Sequence, residues 1–414
     1  MAHNVTWIIS FLAIAGVIIR PFKVPETVWA VAGAVLLLVF GSISPTDGLT
    51  GVTKGTDVYL FLTGMMLLAE TAREEKLFDW LAAHATNLAK GSPGRLFLLI
   101  YLVGIAVTVF LSNDATAVVL TPAVAAAVKA AKVKKPLPYL LICAFIANAA
   151  SFVLPISNPA NLVIYDSHMP PLLHWLQLYL VPSGFSILIT YLALRFTQRD
   201  ELKGDIEPGI AVQKLSAGGI TALLGIIATA VVLLVCSAMD ISLGLPTAIT
   251  GVLTSLIVII RSRKNPWTIV KGVSWSVLPL VAGLFVIVEA INKTGAIHTL
   301  TSLLQQHAAN SVTASVWGSG FIIAFASNLM NNLPVGLIAG NIVQAGHVPD
   351  IVKSAVLIGV DLGPNLSITG SLATILWLVA LRREGLTVSA WAFLKLGAVV
   401  MTTALIVALA SLWL

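Results

Sequence analysis

The chain alternates long apolar stretches with short polar ones from end to end. Apolar segments fall at about 6–20, 27–43, 57–71, 96–128, 137–165, 174–194, 215–236, 246–260, 273–291, 315–341, 350–381 and 396–414. Within them apolar residues run continuously instead of alternating, which predicts helices and excludes a membrane barrel. A helix needs about 20 residues to cross the hydrocarbon layer of a bilayer, and four segments depart from that length. Segments 96–128 and 315–341 are each interrupted by a polar tip and read as re-entrant hairpins that enter and leave by one face. Segments 137–165 and 350–381 each carry a polar break and read as broken helices. The pattern predicts an all-α integral membrane fold of ten transmembrane helices, two of them broken at the midplane, plus two re-entrant hairpins.

Charge orients this arrangement. The loops 20–26, 71–95, 129–136, 195–214, 261–271 and 382–395 hold 21 of the 24 Lys and Arg residues, and the opposite loops hold only Lys54, Lys293 and Lys353. The positive-inside rule then places both termini outside a bacterial inner (cytoplasmic) membrane. Taking each hairpin as one full crossing would spoil that asymmetry. Only 10% of residues are charged and 58% are hydrophobic, against about 25% charged in soluble domains. The net charge of +6 is accounted for by topology, so the expected partner is a lipid bilayer and not a nucleic acid. The opening MAHNVTWIIS has no basic n-region and no small-residue cleavage site, and reads as the start of the first helix.

A polar linker, 198–213, divides the chain into a first half, 1–197, and a second half, 214–414. The halves echo each other. GMMLLAE at Gly64–Glu70 matches GLFVIVE at Gly283–Glu289, FLSND matches FASNL, and ISNPANLVIY matches ITGSLATILW. Five full spans in each half would set the two in opposite orientations, the inverted-topology repeat of secondary transporters with a solute site at the midplane.

The four polar interruptions are the expected site. They contain Ser112, Asn113 and Thr116; Ser157, Asn158 and Asn161; Ser327, Asn328, Asn331 and Asn332; and Asn365, Thr369 and Ser371. Pro and Gly break the helices there. The half-helices expose free N–H and C=O groups, which are tolerated at membrane depth only beside protein or a water-filled cavity. Ser, Thr and Asn complete a neutral hydrogen-bonding pocket without Lys or Arg. Such a pocket suits a neutral solute or a cation better than an anion.

Asp114 sits inside the first tip, opposite Leu329 in the FLSND–FASNL pairing, and Asp361 just precedes the fourth break. Intramembrane carboxylates are functional candidates, and both are expected proton-coupling groups. The alternative roles are capping for either, or pairing with Lys353 for Asp361. Glu70 and Glu289 are expected interfacial anchors, and Asp166 and Asp240 are expected to face solvent. No histidine shows metal-ligand spacing with another, so neither a metal site nor a cofactor is expected. Cys143 and Cys236 are distant in sequence, and a required thiol is not expected.

The motifs FLSNDATAVVLTP and NLMNNLPVGLIAG resemble those of the arsenical pump membrane protein family, within the wider ion transporter superfamily that includes sodium-coupled dicarboxylate carriers. The likeness covers essentially the whole chain. It implies export of arsenite or antimonite trihydroxide by proton antiport, with elevator-like alternating access. It also implies an optional cytoplasmic ATPase, for which the basic loops Lys129–Lys135 and Arg195–Lys214 offer a surface. The sequence has no H-E-x-x-H, no G-x-S-x-G and no Gly-Lys dipeptide, so a membrane enzyme is disfavoured and no Walker A loop is present. Read from the residues alone, a cation/proton antiporter stays open.

Overall fold

The computed structural model describes residues 2–165, 169–203, 206–207, 209–212 and 214–414, and every regular element among them is helical. Asp166, His168 and four positions of the linker lie outside the described residues. The first half runs α1 (Ala2–Ile19), α2 (Glu26–Val39), α3 (Pro45–Lys54), α4 (Thr56–Glu74), α5 (Leu77–Leu88), α6 (Pro93–Phe110) and α7 (Asn113–Ala115). A π-helical turn, Thr116–Leu120, leads into α8 (Thr121–Ala130), followed by α9 (Leu137–Ala149), α10 (Pro159–Tyr165) and α11 (Leu172–Thr197). The second half runs α12 (Ala217–Ala238), α13 (Gly244–Ser262), α14 (Pro266–Gly272), α15 (Val277–Lys293), α16 (Ala296–Asn310) and α17 (Val312–Met330). It ends with α18 (Asn332–Ala345), α19 (Asp350–Leu362), α20 (Leu372–Arg383) and α21 (Ala390–Ala410). Apart from the three-residue α7 and the π-turn after it, the order of long and short helices is similar in both halves.

Seven of the described helices are long and apolar enough to cross a bilayer. Their outer surface is apolar too: α12 exposes Ile220, Leu224, Ile227 and Val231, and α13 exposes Leu245, Ile249 and Leu253. An uncovered apolar surface of that extent is stable only in lipid. The protein is a multi-pass membrane protein.

Local chemistry sets the helix starts. Ser44, Ser92, Ser216, Ser311 and Ser389 each accept a backbone N–H at the N-terminus of the helix that follows, satisfying a donor that has no partner within the helix. Four helices, α3, α5, α14 and α16, fall where the apolar pattern reads as loop. They are too short or too amphipathic to register as spans. α5, for instance, buries Leu77, Phe78, Ala82 and Ala85 and packs on α6 and α8.

Packing crosses between the halves. α4 lies along α13 and α2 lies along α15. At the first crossing Gly64 and Gly251 meet backbone to backbone. A Cβ on Gly64 would sit 2.1 Å from the Thr247 carbonyl oxygen, so this approach requires glycine. These helices form a frame, beside which lie the two hairpins (α6–α8 and α17–α18) and the two broken helices (α9–α10 and α19–α20).

The ends sort by charge. Tyr139 Oη donates to the Pro93 carbonyl at 3.3 Å, placing the start of α6 and the start of α9 at one end. Lys132–Glu207 at 2.7 Å and Lys135–Glu201 at 2.9 Å tie one pair of basic loops together there, and Lys264–Glu75 at 3.1 Å ties a second pair. The opposite end carries Lys54–Glu289 at 2.7 Å and Lys293–Asp47 at 3.0 Å.

Candidate functional site

The first tip is built by Ser112, whose Oγ accepts the Ala115 N–H at 3.2 Å and starts α7. The Asn113 side-chain oxygen accepts the Asp114 N–H at 2.9 Å. Pro122 follows in the first turn of α8. It has no N–H to donate, and the preceding turn loosens into the π-helix, a feature frequent at functional sites. The second tip is built by Asn331, which has a φ of 71° and caps α18 by accepting the Leu333 N–H at 3.4 Å. With a ψ of 150° it holds an extended, positive-φ conformation that is otherwise almost confined to glycine, a strained backbone of the kind that clusters at functional sites.

These caps set the register between the tips. Ser112 corresponds to Asn331, Asn113 to Asn332 and Asp114 to Leu333. The pairing of FLSND with FASNL is therefore corrected. Ser327, Asn328 and Leu329 belong to the last turns of α17, below the tip. Leu329 is exposed and is not the counterpart of Asp114.

Both tips and both breaks meet at one small cavity of about 30 Å³. It is lined by Asn113 and Asp114 of the first tip, Asn332 and Leu333 of the second, Asn158 and Pro159 of the first break, and Leu372 and Ala373 of the second. The frame contributes Leu62, Val277 and Val281. Asn113–Asn332, Asp114–Leu333 and Leu62–Val281 are related by one constant offset in sequence, so the cavity is walled by matching pairs. Asp114 is the one charged group in this wall. It is half-buried, and its carboxylate meets no hydrogen-bond donor or cation among the described residues.

Asp114 also lines a second cavity, of about 60 Å³, that runs with Ser112 toward Glu70 and Gly272. A third, of about 110 Å³, lies between α15 and α18 and is lined by Lys54, Glu289, Asn341 and Gln344. Glu70 and Glu289 therefore stand on cavity walls. Each is paired with a cation, Glu70 with Arg73 and Glu289 with Lys54. A cavity of about 450 Å³ between α16, α17 and α18 is apolar and holds none of the candidate residues.

The remaining candidates act on the protein itself. Thr116 is buried against Thr108, Oγ1 to Oγ1 at 2.8 Å. Ser157 donates to the Val109 carbonyl at 3.1 Å and ties the first break to the first hairpin. The Asn161 amide donates to the carbonyls of Ser151, Leu154 and Pro155 at 2.9, 3.4 and 3.3 Å, which lost their helical donors when the helix broke. Ser327 donates within its own helix to Ile323. Asn328 donates to the Gly363 carbonyl at 2.9 Å and accepts from Ser367 at 2.7 Å, holding the second hairpin to the second break. Thr369 donates to the Asn328 carbonyl at 3.2 Å, and Ser371 caps α20 by accepting the Thr374 N–H at 3.1 Å.

Two buried links join the breaks directly. Asn148 donates to Asn365 Oδ1 at 3.0 Å, and Asn158 donates to Asp361 Oδ1 at 2.7 Å. Asp361 does not pair with Lys353, which goes to Asp350 at 3.4 Å. Asp361 Oδ2 is buried without a hydrogen-bond partner among the described residues. Asn148, absent from the sequence-derived candidates, is an Asn in an otherwise apolar run, which was the available signal. Cys143 and Cys236 are free thiols and line none of these cavities.

The sequence pattern of a family described as "Citrate transporter" matches residues 11–359. The arsenical pump membrane protein of Escherichia coli (strain K12) is 28% identical over 400 residues, covering 92% of each chain. Two solved structures share the fold. The MtrF protein of Neisseria gonorrhoeae, described among antimetabolite efflux pumps, superposes with a TM-score of 0.58 at 12% identity, over 100% of this chain and 94% of its own. The YdaH transporter of Alcanivorax borkumensis superposes with a TM-score of 0.56 at 14% identity, over 89% of this chain and 86% of its own.

Proposed function

Because the chain belongs to the citrate transporter family, we propose that it works as a secondary carrier exporting the uncharged trihydroxide of trivalent arsenic or antimony in exchange for protons. One observation carries the choice of solute. The midplane cavity presents three amides and one carboxylate, with no Lys or Arg. Amides offer donors and acceptors to a polyhydroxide, whereas a tricarboxylate would meet Asp114 with no cation to offset it. The arsenical pump name of the Escherichia coli relative supports the same reading.

Matching walls and cross-packed halves support an inverted repeat, with five crossings and one hairpin in each half, and with both termini outside the inner membrane. The cavity has room for about two waters, so admitting the solute requires the tips to move away from α4 and α15. The frame stays, and the hairpins and broken helices slide past it, giving alternating access. Asp114, between the midplane cavity and the one leading to Glu70, carries the proton on the return of the empty carrier.

A carboxylate solute is the second reading. It is favoured by the N-terminus of α20 on the cavity wall, where free N–H groups attract anions. A cytoplasmic ATPase is not required by the site. The basic loops that would receive one already pair internally, Lys132 with Glu207 and Lys135 with Glu201.

Everted vesicles energised by a proton gradient, without ATP, test these readings with labelled arsenite and labelled citrate. Arsenite uptake that an uncoupler collapses is the expected result. Citrate uptake in its place overturns the choice of solute, and arsenite uptake only with added ATPase and ATP overturns the coupling.

A further inference from the structure

Behind the first broken helix, away from the midplane cavity, lies a buried column of polar side chains that solute binding does not use. It begins at the face opposite the basic loops. There His174 Nε2 and Asp350 Oδ2 lie 3.7 Å apart at the surface, both about half exposed. Tyr165, the last residue of α10, and Tyr179 of α11 share a hydrogen bond of 2.6 Å between hydroxyls. Both are buried. Trp175 lies against the two rings, with ring centres at 5.6 Å from Tyr165 and 4.4 Å from Tyr179.

On the facing helix, α19, Ser354 lies beside the Tyr179 hydroxyl. Its Oγ is fully buried without a hydrogen-bond partner among the described residues. Seven residues on, two turns along the same face and about 10 Å deeper, stands Asp361, whose Oδ2 is also buried without a hydrogen-bond partner among the described residues. Ser183, one turn after Tyr179 on α11, is also buried. Ionisable and hydroxyl groups buried inside a bundle at membrane depth mark ion and proton routes.

We infer that Tyr165, Tyr179 and Ser354 form a proton route from the outer face to Asp361, separate from the path of the solute, and that Asn158 couples the two. This rests on the proton-antiport reading above and adds to it a second proton site beside Asp114, with its own path and a coupling residue. Each hydroxyl passes a proton by releasing its own toward Asp361 while accepting another from the outer side, and buried water bonded to the two orphaned oxygens, Ser354 Oγ and Asp361 Oδ2, carries it over the roughly 10 Å between them, so the tyrosines end unchanged. Asp361 gains one proton from outside, which is the direction an exporter driven by proton influx requires.

Asn158 is placed to read that event. It lines the midplane cavity, and its Nδ2 donates to Asp361 Oδ1. An ionised Asp361 holds the amide as a donor. A protonated Asp361 no longer needs that donor and releases it to the cavity. The groups facing Asp361 are few: Ser151 and Asn158 from the first break, and Tyr179 from α11. Lys353 is engaged by Asp350. No element packed against Asp361 brings another charged side chain to it among the described residues.

The test follows Asp361 itself, not the solute. Purified protein in liposomes is given an acid jump on the outer face, and the infrared band of the protonated carboxyl is followed in time. Asp361→Asn assigns the band. Tyr179→Phe and Tyr165→Phe are expected to slow its rise about tenfold each, equivalent to roughly 1.4 kcal/mol on the barrier. Tyr101→Phe is the control. It removes a buried hydroxyl that bonds the Ile187 carbonyl elsewhere along α11, and it should leave the rate unchanged. Unfolding temperatures of the variants separate slow protonation from misfolding. Wild-type rates in both tyrosine variants overturn the route, and so does an Asp361 band that ignores the jump. If the band slows as expected while wild-type vesicles take up no arsenite, the route stands and the choice of solute falls.

Discussion

The two hairpin tips occupy matching places and differ in chemistry. The first places Asp114 beside the cavity and continues into a π-helical turn. The second places Leu333 at the matching position and continues into regular helix, its sharp turn absorbed by Asn331 at a positive φ. Both present an amide, Asn113 or Asn332, to the same small space. In the proposed reading the shared amides do what both halves must do, which is to hold the solute in either orientation. The carboxylate belongs to what only one half does, which in this reading is to carry the proton.

That division can be broken experimentally, and the largest expected effect comes from the charge. Asp114→Asn keeps the shape and removes the titration. Gradient-driven arsenite uptake in everted vesicles should fall at least about 100-fold, the low end of what a positioned proton carrier contributes. An unchanged rate would make the difference between the tips irrelevant to coupling. Leu333→Asp tests the same contrast from the other side. It sets a second carboxylate across the cavity from the first, and uptake should drop about tenfold through repulsion of roughly 1.4 kcal/mol.

The shared amides should behave alike. Asn113→Ala and Asn332→Ala each remove one hydrogen bond worth about 1 kcal/mol. Half-saturating arsenite should rise about fivefold in both. A large effect in one and none in the other would show that only one tip touches the solute. The smallest effect is structural. Asn331→Gly should leave the unfolding temperature nearly unchanged, the relieved backbone offsetting the lost cap, whereas Asn331→Ala should cost about 1 kcal/mol because it loses the cap and keeps a backbone conformation that favours glycine.

Much of the fold could be read from the chain because membrane burial leaves a coarse signal. Polar tips inside apolar runs marked the hairpins, and Pro with Asn inside over-long runs marked the breaks. The short helices α3, α5, α14 and α16 were not legible, since each is amphipathic and buries one face on neighbours that only the folded bundle supplies. The tip register was misjudged for a related reason. Ser-Asn at 327–328 looked like Ser-Asn at 112–113, but a helix cap is defined by backbone geometry. Pro334, two residues after Asn332, is the local hint that a first turn starts there.

Within the site, the sequence identified the residue types and missed their division of labour. Asn113, Asn158, Asn332 and Asp114 reach the cavity. Asn161, Asn328, Ser157 and Thr369 spend their hydrogen bonds on carbonyls freed by the breaks. Both groups are small polar residues beside Pro or Gly, and only the direction of each side chain separates them. The link from Asn148 to Asn365 spans more than two hundred positions, beyond the reach of any local pattern.

The cross-packing of α4 on α13 and of α2 on α15 has a consequence for how the protein is made. A ribosome delivers α2 and α4 long before it delivers their partners. Until then α4, carrying Asp57, Glu70, Arg73 and Glu74, has neither the Gly251 surface to close against nor the apolar character to settle alone in lipid. Insertion must therefore hold the first half in an unfinished arrangement, sheltered by the insertion machinery, until the second half emerges. Neither half expressed alone should reach the membrane as a stable unit, whereas the two halves co-expressed as separate chains have every contact they need to find each other.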